Sequence, residues 1–213
     1  MPKEIERKFL TNHLIRGVLI GLRGSEIEQG YLPSGPDLTL RVRIRDKVGY
    51  LTLKGKKQGI SCDEFEGEMP LGHVRALLDG YATSALKKTR FEIWHDGRRW
   101  EVDVFHGALA GLILAELELD SEDAAFTCPP WVTLDVSHRP EFSNARLAEL
   151  AKILTRREQS LHERLDPRSI PIAHLLMREG PPEGDLPPDM WARLERAALE
   201  VQVAADAKRG SGG

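Results

Sequence analysis

Cysteine is scarce in this sequence. Its 213 residues include two cysteines, Cys62 and Cys128, which lie far apart along the chain. Such a pair matches neither the disulfide framework of a small secreted domain nor the paired spacing of a zinc site. We therefore expect both cysteines to be free thiols in a reducing compartment.

Long apolar runs are missing as well. No stretch approaches the ~20 apolar residues of a membrane-spanning helix. The N-terminus becomes charged within four residues and lacks the apolar region of a signal peptide. The sequence therefore predicts a cytoplasmic protein with no membrane partner.

The chain also lacks an excess of charge of either sign. The chain has 30 basic and 33 acidic residues, for a formal net charge of -3. This balance gives no reason to expect general attraction to DNA or to a membrane surface. A hydrophobic content of 41% and a charged content of 30% are typical of a soluble globular protein. The length suits one sizeable domain with an appendage.

Strict alternation of charged and apolar side chains is what the sequence has in abundance. At its start, Glu4, Glu6 and Lys8 share one face of an extended strand, and the residues between them face the other way. Several later segments repeat this pattern. A barrel with a charged interior is the natural use of such strands. Strands are predicted at about 3–10, 27–32, 38–45, 50–54, 62–70, 84–95, 98–105 and 112–119.

Other segments have the spacing of apolar residues that is typical of helices. Helices are predicted at 71–80, 121–126, 143–164 and 188–208. Residues 166–188 are rich in proline, which favours an irregular arm. We expect a barrel domain over 1–165, and a second region over 166–213 that consists of this arm, a C-terminal helix and a tail.

The charged faces of the predicted strands sort by sign. The basic set is Lys8, Arg41, Arg43, Lys54, Lys88 and Arg90. The acidic set is Glu4, Glu6, Glu64, Glu66, Asp103, Glu116 and Glu118. One alternative is that these faces form a solvated outer surface, which is common in antiparallel sheets. Two observations oppose it: Glu116 and Glu118 lie in an otherwise apolar strand, and ordinary surfaces intersperse charges of both signs.

Clustered charges of one sign need a counterion. Arginine forks suit phosphate, because one guanidinium binds two oxygens at once. Carboxylates without histidine or cysteine favour Mg²⁺ or Mn²⁺ over zinc. The sequence offers no obvious serine, cysteine or histidine nucleophile, so a water activated by the metal is the simplest attacker. The pattern therefore predicts a bound polyanion at one wall and a divalent metal at the other.

The same residues carry a resemblance to a known family. The segment Glu4-x-Glu6-x-Lys8 resembles the E-x-E-x-K signature of the CYTH superfamily, the triphosphate tunnel metalloenzymes. The resemblance covers about residues 1–150 and is closest to the short bacterial tripolyphosphatase branch. Its further motifs follow in order along the chain: Arg41-x-Arg43, Leu53-Lys54, Glu64-x-Glu66, Lys88-Thr89-Arg90, Asp103 and Glu116-x-Glu118.

The resemblance implies a mainly β (α+β) fold, in which a closed eight-stranded antiparallel barrel carries peripheral helices and a C-terminal helical extension. It implies that the basic set binds phosphates and that the acidic set binds or orients metal and water. The implied catalytic residues are Glu6, Lys8, Glu66 and Glu118. Arg139 is a further candidate, and Tyr31 touches substrate, closes the entrance or packs on the barrel.

Several activities fit this resemblance. The first is metal-dependent hydrolysis of inorganic tripolyphosphate. The alternatives are a nucleoside or thiamine triphosphatase, a class IV adenylate cyclase, and a module that binds polyphosphate or nucleotide without catalysis. The sequence leaves the oligomeric state open, with a homodimer as one candidate.

Overall fold

The computed structural model describes residues 3–56 and 59–164, and side chains within residues 4–156. The predicted arm and the predicted helix over 188–208 lie outside the described residues. In the described part, the strands are β1 (Lys3–Thr11), β2 (Ser25–Leu32), β3 (Thr39–Arg45), β4 (Val48–Lys54), β5 (Ser61–Met69), β6 (Ser84–His95), β7 (Arg98–Phe105), β8 (Ile113–Glu118) and β9 (Val132–Asp135). The helices are α1 (Leu14–Leu19), α2 (Leu71–Gly80) and α3 (Asn144–Arg164).

Two local predictions differ from the structure. The helix predicted at 121–126 is wrong, because this segment forms turns. A helix of one turn is unfavourable, because several residues must be fixed in helical conformation for few hydrogen bonds. Ala124 and Phe126 pack instead onto the apolar cluster around Trp100. Strand β9, which follows this segment, was not predicted.

Eight strands close into a barrel in which every pairing is antiparallel. The order around it is β5-β4-β3-β2-β6-β7-β8-β1, and β1 returns to pair with β5. At this closure, Glu4 lies opposite Cys62 of β5, and further along β1, Lys8 lies opposite Glu116 of β8. The prediction of a closed eight-stranded antiparallel barrel is confirmed, with β9 as an extra strand beside the second half of β1.

Apolar side chains pack on the outside of the barrel and across one of its ends. Outside, Phe9, Trp100 and Leu117 form a cluster with Trp131 from the segment before β9. At one end, lumen-facing residues pack against the apolar stripe of α3 in a buried cluster that includes Leu10, Tyr31, Phe105, Leu114, Leu147 and Leu150. We call this the filled end of the lumen, and the opposite opening the rim. None of the described helices is long and apolar enough to cross a membrane.

Candidate active site

The residues of the predicted basic and acidic sets all lie on the lumen face of the barrel. From β7 through β8 and β1 to β5, this face carries mainly carboxylates. From β4 through β3 and β2 to β6, it carries mainly basic and neutral polar side chains. We call these the acidic wall and the basic wall. They meet where β4 pairs with β5 and where β6 pairs with β7, and Lys8 is a basic residue within the acidic wall.

The inner ion-pair cluster lies next to the filled end. Its members are Lys8, Lys88, Arg90, Asp103 and Glu116. Each of these residues is at most 9% exposed. Arg90 donates to Asp103 through Nε at 2.7 Å and Nη2 at 2.6 Å, and Lys88 Nζ donates to the same carboxylate at 2.5 Å. Glu116 lies 2.5 Å from Arg90 Nη2 and 2.7 Å from Lys8 Nζ. Within the cluster three cations share two carboxylates, and Lys8 and Arg90 have further ion pairs with Glu6 and Glu101 outside it.

Burial and neighbouring charges act against each other in this cluster. Burial alone would raise the pKa of both carboxyl groups, but Arg90 and Lys88 lower the pKa of Asp103. In the same way, Lys8 and Arg90 hold the pKa of Glu116 well below its usual range. Burial, aided by the charge of Arg90, lowers the pKa of Lys88 to about 8. At neutral pH all five groups are therefore charged.

The outer ion-pair cluster joins β3 and β4 to β5 and β1. Its members are Glu4, Arg41, Arg43, Thr52, Lys54, Glu64 and Glu66. Glu66 accepts a hydrogen bond from Arg43 Nη2 at 2.6 Å and one from Arg41 Nη2 at 3.2 Å. Lys54 Nζ lies 3.0 Å from Glu64 Oε2 and also contacts Glu4. The two clusters together contain the predicted basic set and most of the acidic set.

Comparison with known proteins agrees with this geometry. The sequence profile of the CYTH domain matches residues 2–161. The chain belongs to the CYTH family. It is 37% identical to the inorganic triphosphatase of Acetivibrio thermocellus over 155 residues, which cover 70% of this chain and 95% of that protein. It is 36% identical to the inorganic triphosphatase of Nitrosomonas europaea over 149 residues, which cover 68% of this chain and 96% of that protein.

A solved structure shares both fold and sequence with this CYTH chain. The inorganic triphosphatase NE1496 superposes with a TM-score of 0.52 at 34% identity, over 68% of this chain and 97% of that one. The resemblance that the sequence motifs indicated is thereby confirmed.

On the acidic wall of this CYTH barrel, the neighbouring cations do not fully compensate the negative charges of Glu4 and Glu6. Burial raises the pKa of Glu6, and the negative charge of Glu116 raises it further. Burial also raises the pKa of Glu4, against the attraction of Lys54. Glu6 lies opposite Glu118 across β1 and β8, and its ion pair with Lys8 is 3.4 Å long. A further cation beside these carboxylates would therefore stabilise their ionised form.

The donors on β1 and β8 fit a hard divalent cation. Glu4, Glu6 and Glu118 offer carboxylate oxygens from adjacent positions of the acidic wall, and such oxygens suit Mg²⁺ and similar ions. Within the described residues, no three acidic, histidine or cysteine side chains already converge on one point. Since Glu4 contacts Lys54 and Glu6 contacts Lys8, a metal would have to displace these lysines.

Glu101 is a lumen residue that the predicted acidic set left out. It lies opposite Glu116 on β8 and contacts Arg90 of the inner cluster. Burial raises the pKa of Glu101, although the charge of Arg90 opposes the rise. The signal was present in the sequence, because Glu101 is two residues from Asp103 and shares its face of β7.

The basic wall contains buried polar atoms that the described residues do not satisfy. Arg43 Nε and Gln29 Oε1 are buried without a hydrogen-bond partner in that part of the chain. An unused guanidinium donor beside the lumen suits an anionic ligand. Gln29 Nε2 donates to the hydroxyl of Tyr31 at 2.7 Å. Tyr31 is buried in the filled end, where it packs on the barrel, which is one of the roles predicted for it.

The turn before α3 and the first residue of α3 each contact a lumen lysine, and sequence reasoning missed both contacts. Lys8 Nζ lies 3.4 Å from the carbonyl oxygen of Phe142, and Lys88 Nζ lies 3.4 Å from Oδ1 of Asn144. These residues are more than fifty positions from their partners, so no local pattern reveals the contacts. Arg139 is exposed in the same turn, and its role in the site stays a prediction.

Proposed function

We propose that this chain hydrolyses inorganic tripolyphosphate with the help of Mg²⁺ or Mn²⁺. The observation that carries the proposal is a lumen that is filled at one end. Inside it, the side chains of the basic and acidic walls lie within hydrogen-bonding distance of each other. The relatives named inorganic triphosphatase support it, because the chain covers nearly the whole length of both. The predicted site residues keep the roles given above as part of this proposal.

The basic set would hold the substrate. Arg41 and Arg43 stand two residues apart on one face of β3, and each directs a guanidinium into the lumen toward Glu66. Phosphate oxygens replace such carboxylate partners well, because both bind the guanidinium fork. Glu66 then orients the two arginines: burial would raise its pKa, but Thr52 and the arginines keep it lowered and the group ionised.

The acidic wall would serve the attack of water on the terminal phosphorus. Glu6 and Glu118 would hold the metal with Glu4, and bound Mg²⁺ or Mn²⁺ would polarise the phosphate oxygens and make a nearby water more acidic. Glu6 would also orient the attacking water, because it lies opposite Glu118 on the adjacent strand.

The inner cluster would stabilise the charge that develops as the P–O bond breaks. Water adds to the terminal phosphorus, its proton passes to a carboxylate of the acidic wall, and the bridging oxygen leaves with the bonding electrons on pyrophosphate. Lys8, Lys88 and Arg90 are fixed by their carboxylate partners before substrate arrives. Preorganised cations of this kind stabilise a transition state without having to rearrange.

Phosphate release from tripolyphosphate tests the proposal, with Mg²⁺ and Mn²⁺ compared and with ATP and thiamine triphosphate as alternative substrates. Glu6→Gln and Glu118→Gln should each lower kcat by roughly a hundredfold, as expected for loss of a group that transfers a proton or holds a metal. Glu28→Gln is the matched control, because Glu28 lies on the outer face of β2, where it pairs with Arg75. Undiminished turnover in both lumen variants would end the proposal.

A further inference from the structure

The connection between β1 and β2 carries apolar side chains that no other part of the described structure covers. On α1, Ile15 and Leu19 pack onto the outer apolar cluster around Trp100. A neighbouring face of α1 and the turn after it present four apolar side chains that are between 39% and 81% exposed: Leu14, Val18, Ile20 and Leu22. We call these four residues the α1 patch. Single exposed apolar side chains are ordinary, but a group of them within one short segment indicates a contact surface.

The charges beside the α1 patch are all positive. Residues 12–24 contain Arg16 and Arg23 and no acidic residue, and both arginines are exposed. Surfaces that bind each other have complementary charges. A suitable occupant of the α1 patch therefore combines an apolar stripe with carboxylates along its border.

The chain itself contains a segment of this kind. Residues 189–206 lie beyond the described structure and outside the CYTH match, which ends at residue 161. In the helix predicted for this part of the sequence, spacings of three and four place five apolar residues on one face: Trp191, Leu194, Ala198, Val201 and Ala205. At 100° per residue, Glu195 and Asp206 border this stripe on one side. The stripe and its acidic border complement the α1 patch and its arginines.

The length of the intervening chain allows this contact within one molecule. Helix α3 ends at Arg164, so residues 165–188 connect it to the segment. At ~3.3 Å per residue this connection can span up to ~80 Å, whereas a folded domain of this size is only ~40 Å across. A tether also keeps its end at a roughly millimolar local concentration. A small apolar contact is therefore enough to hold the segment on the barrel.

A second copy of the chain suits the α1 patch less well. Aromatic side chains bury ~150–250 Å² each, and the four aliphatic side chains of the patch are smaller and already partly covered. They fall short of the roughly 800 Å² that each partner buries in a stable complex. A symmetric contact would also bring Arg16 and Arg23 against the same arginines of the other copy.

We propose that residues 189–206 dock as an amphipathic helix on the α1 patch of the same chain. Their apolar stripe covers the patch, and Glu195 and Asp206 lie beside Arg16 and Arg23. This interface goes beyond the proposed hydrolysis, because α1 packs on the outside of the barrel and not on the lumen face.

Hydrogen–deuterium exchange of the intact chain, read by mass spectrometry, tests the contact from both sides. Ile20→Asp changes a side chain that is 81% exposed, so the barrel keeps its fold. This variant should raise amide exchange over 189–206 by roughly tenfold, since the contact loses an apolar side chain. Leu194→Asp changes the segment instead and should raise amide exchange over 12–24. Exchange in the barrel strands should stay the same in both variants.

Tyr81→Asp is the matched control. Tyr81 is 68% exposed, and it follows α2, which packs on a different apolar cluster. This variant should leave the exchange of both segments unchanged. Parental exchange over 189–206 in Ile20→Asp, or over 12–24 in Leu194→Asp, would overturn the proposal.

Light scattering after size exclusion distinguishes a contact within one chain from a contact between copies. A parent chain at the monomer mass of 23.9 kDa, together with the reciprocal changes in exchange, would support the proposal. A parent dimer that dissociates in Ile20→Asp would overturn it, because a second copy would then occupy the α1 patch.

Discussion

Replacing Asp103 by asparagine removes the carboxylate that holds the inner ion-pair cluster together. Asp103 is fully buried, and it accepts hydrogen bonds from Lys88 Nζ and from both Nε and Nη2 of Arg90. Asparagine keeps the size of the side chain and one acceptor oxygen, but it loses the charge. Two buried cations then have Glu116 as their main remaining counterion.

The expected cost follows from this burial. Removing one partner of a buried ion pair destabilises a protein by about 3–5 kcal/mol, because a charge is left uncompensated. The lower end applies here, since Arg90 keeps its contact with Glu116 at 2.5 Å and its contact with Glu101. A loss of about 3 kcal/mol lowers the melting temperature of a chain of this size by roughly 6–12 °C.

Thermal unfolding followed by circular dichroism measures this loss, with and without tripolyphosphate and in the absence of metal. Tripolyphosphate should stabilise Asp103→Asn more than the parent, because its oxygens replace the missing carboxylate, and a ligand of the native state adds stability by mass action. Asp120→Asn is the control, since Asp120 is 96% exposed and 3.8 Å from its partner Arg98. The reasoning is refuted if Asp103→Asn melts within about 2 °C of the parent, well under the shift expected for a buried pair.

Two further predictions concern β1 and its neighbour β9. Hydrogen bonds from Ser137 and the charge of Arg7 hold the pKa of Asp135 below its usual value, against the effect of burial. Its contribution to stability is therefore present above about pH 4 and lost as the pH falls through the folded-state pKa. The difference in unfolding free energy between the parent and Asp135→Asn should shrink between about pH 6 and about pH 3, and a constant difference would contradict this account. In steady-state assays, Glu6→Gln should weaken the dependence of the rate on metal concentration, while Lys8→Ala should raise KM for tripolyphosphate. If each variant changed both quantities equally, β1 would not divide metal binding and substrate binding between these two residues.

The lumen face was predictable because the period of a strand is two. A slip of one residue would turn every side chain to the other face, so the parity of Glu4, Glu6 and Lys8 fixed which side they share. The same parity holds for Glu116 and Glu118, and it extends to Glu101. Parity alone does not say that the charged face points inward; the segregation of charge by sign favoured that orientation, and the family resemblance added a closed barrel of eight strands.

The partners within the site were not predictable from the same pattern. That Glu66 meets Arg41 and Arg43 depends on β5 lying beside β4, and that Glu4 meets Lys54 depends on the closure of β1 against β5. Contacts from the turn before α3 depend on how the helix seats on the filled end. These contacts are determined by tertiary packing, which cannot be read from the sequence of a single strand.

The charge balance of the lumen explains why metal and polyanion belong together. The six predicted cations and seven predicted carboxylates nearly cancel, and in the described structure most of them are satisfied by one another. A triphosphate that binds alone takes the cations of the lumen and leaves carboxylates such as Glu116, which is 3% exposed, without partners. A divalent metal that binds alone takes the carboxylates and leaves the cations in the same state. Each ligand thus removes the cost that the other creates, and by linkage each must strengthen the binding of the other.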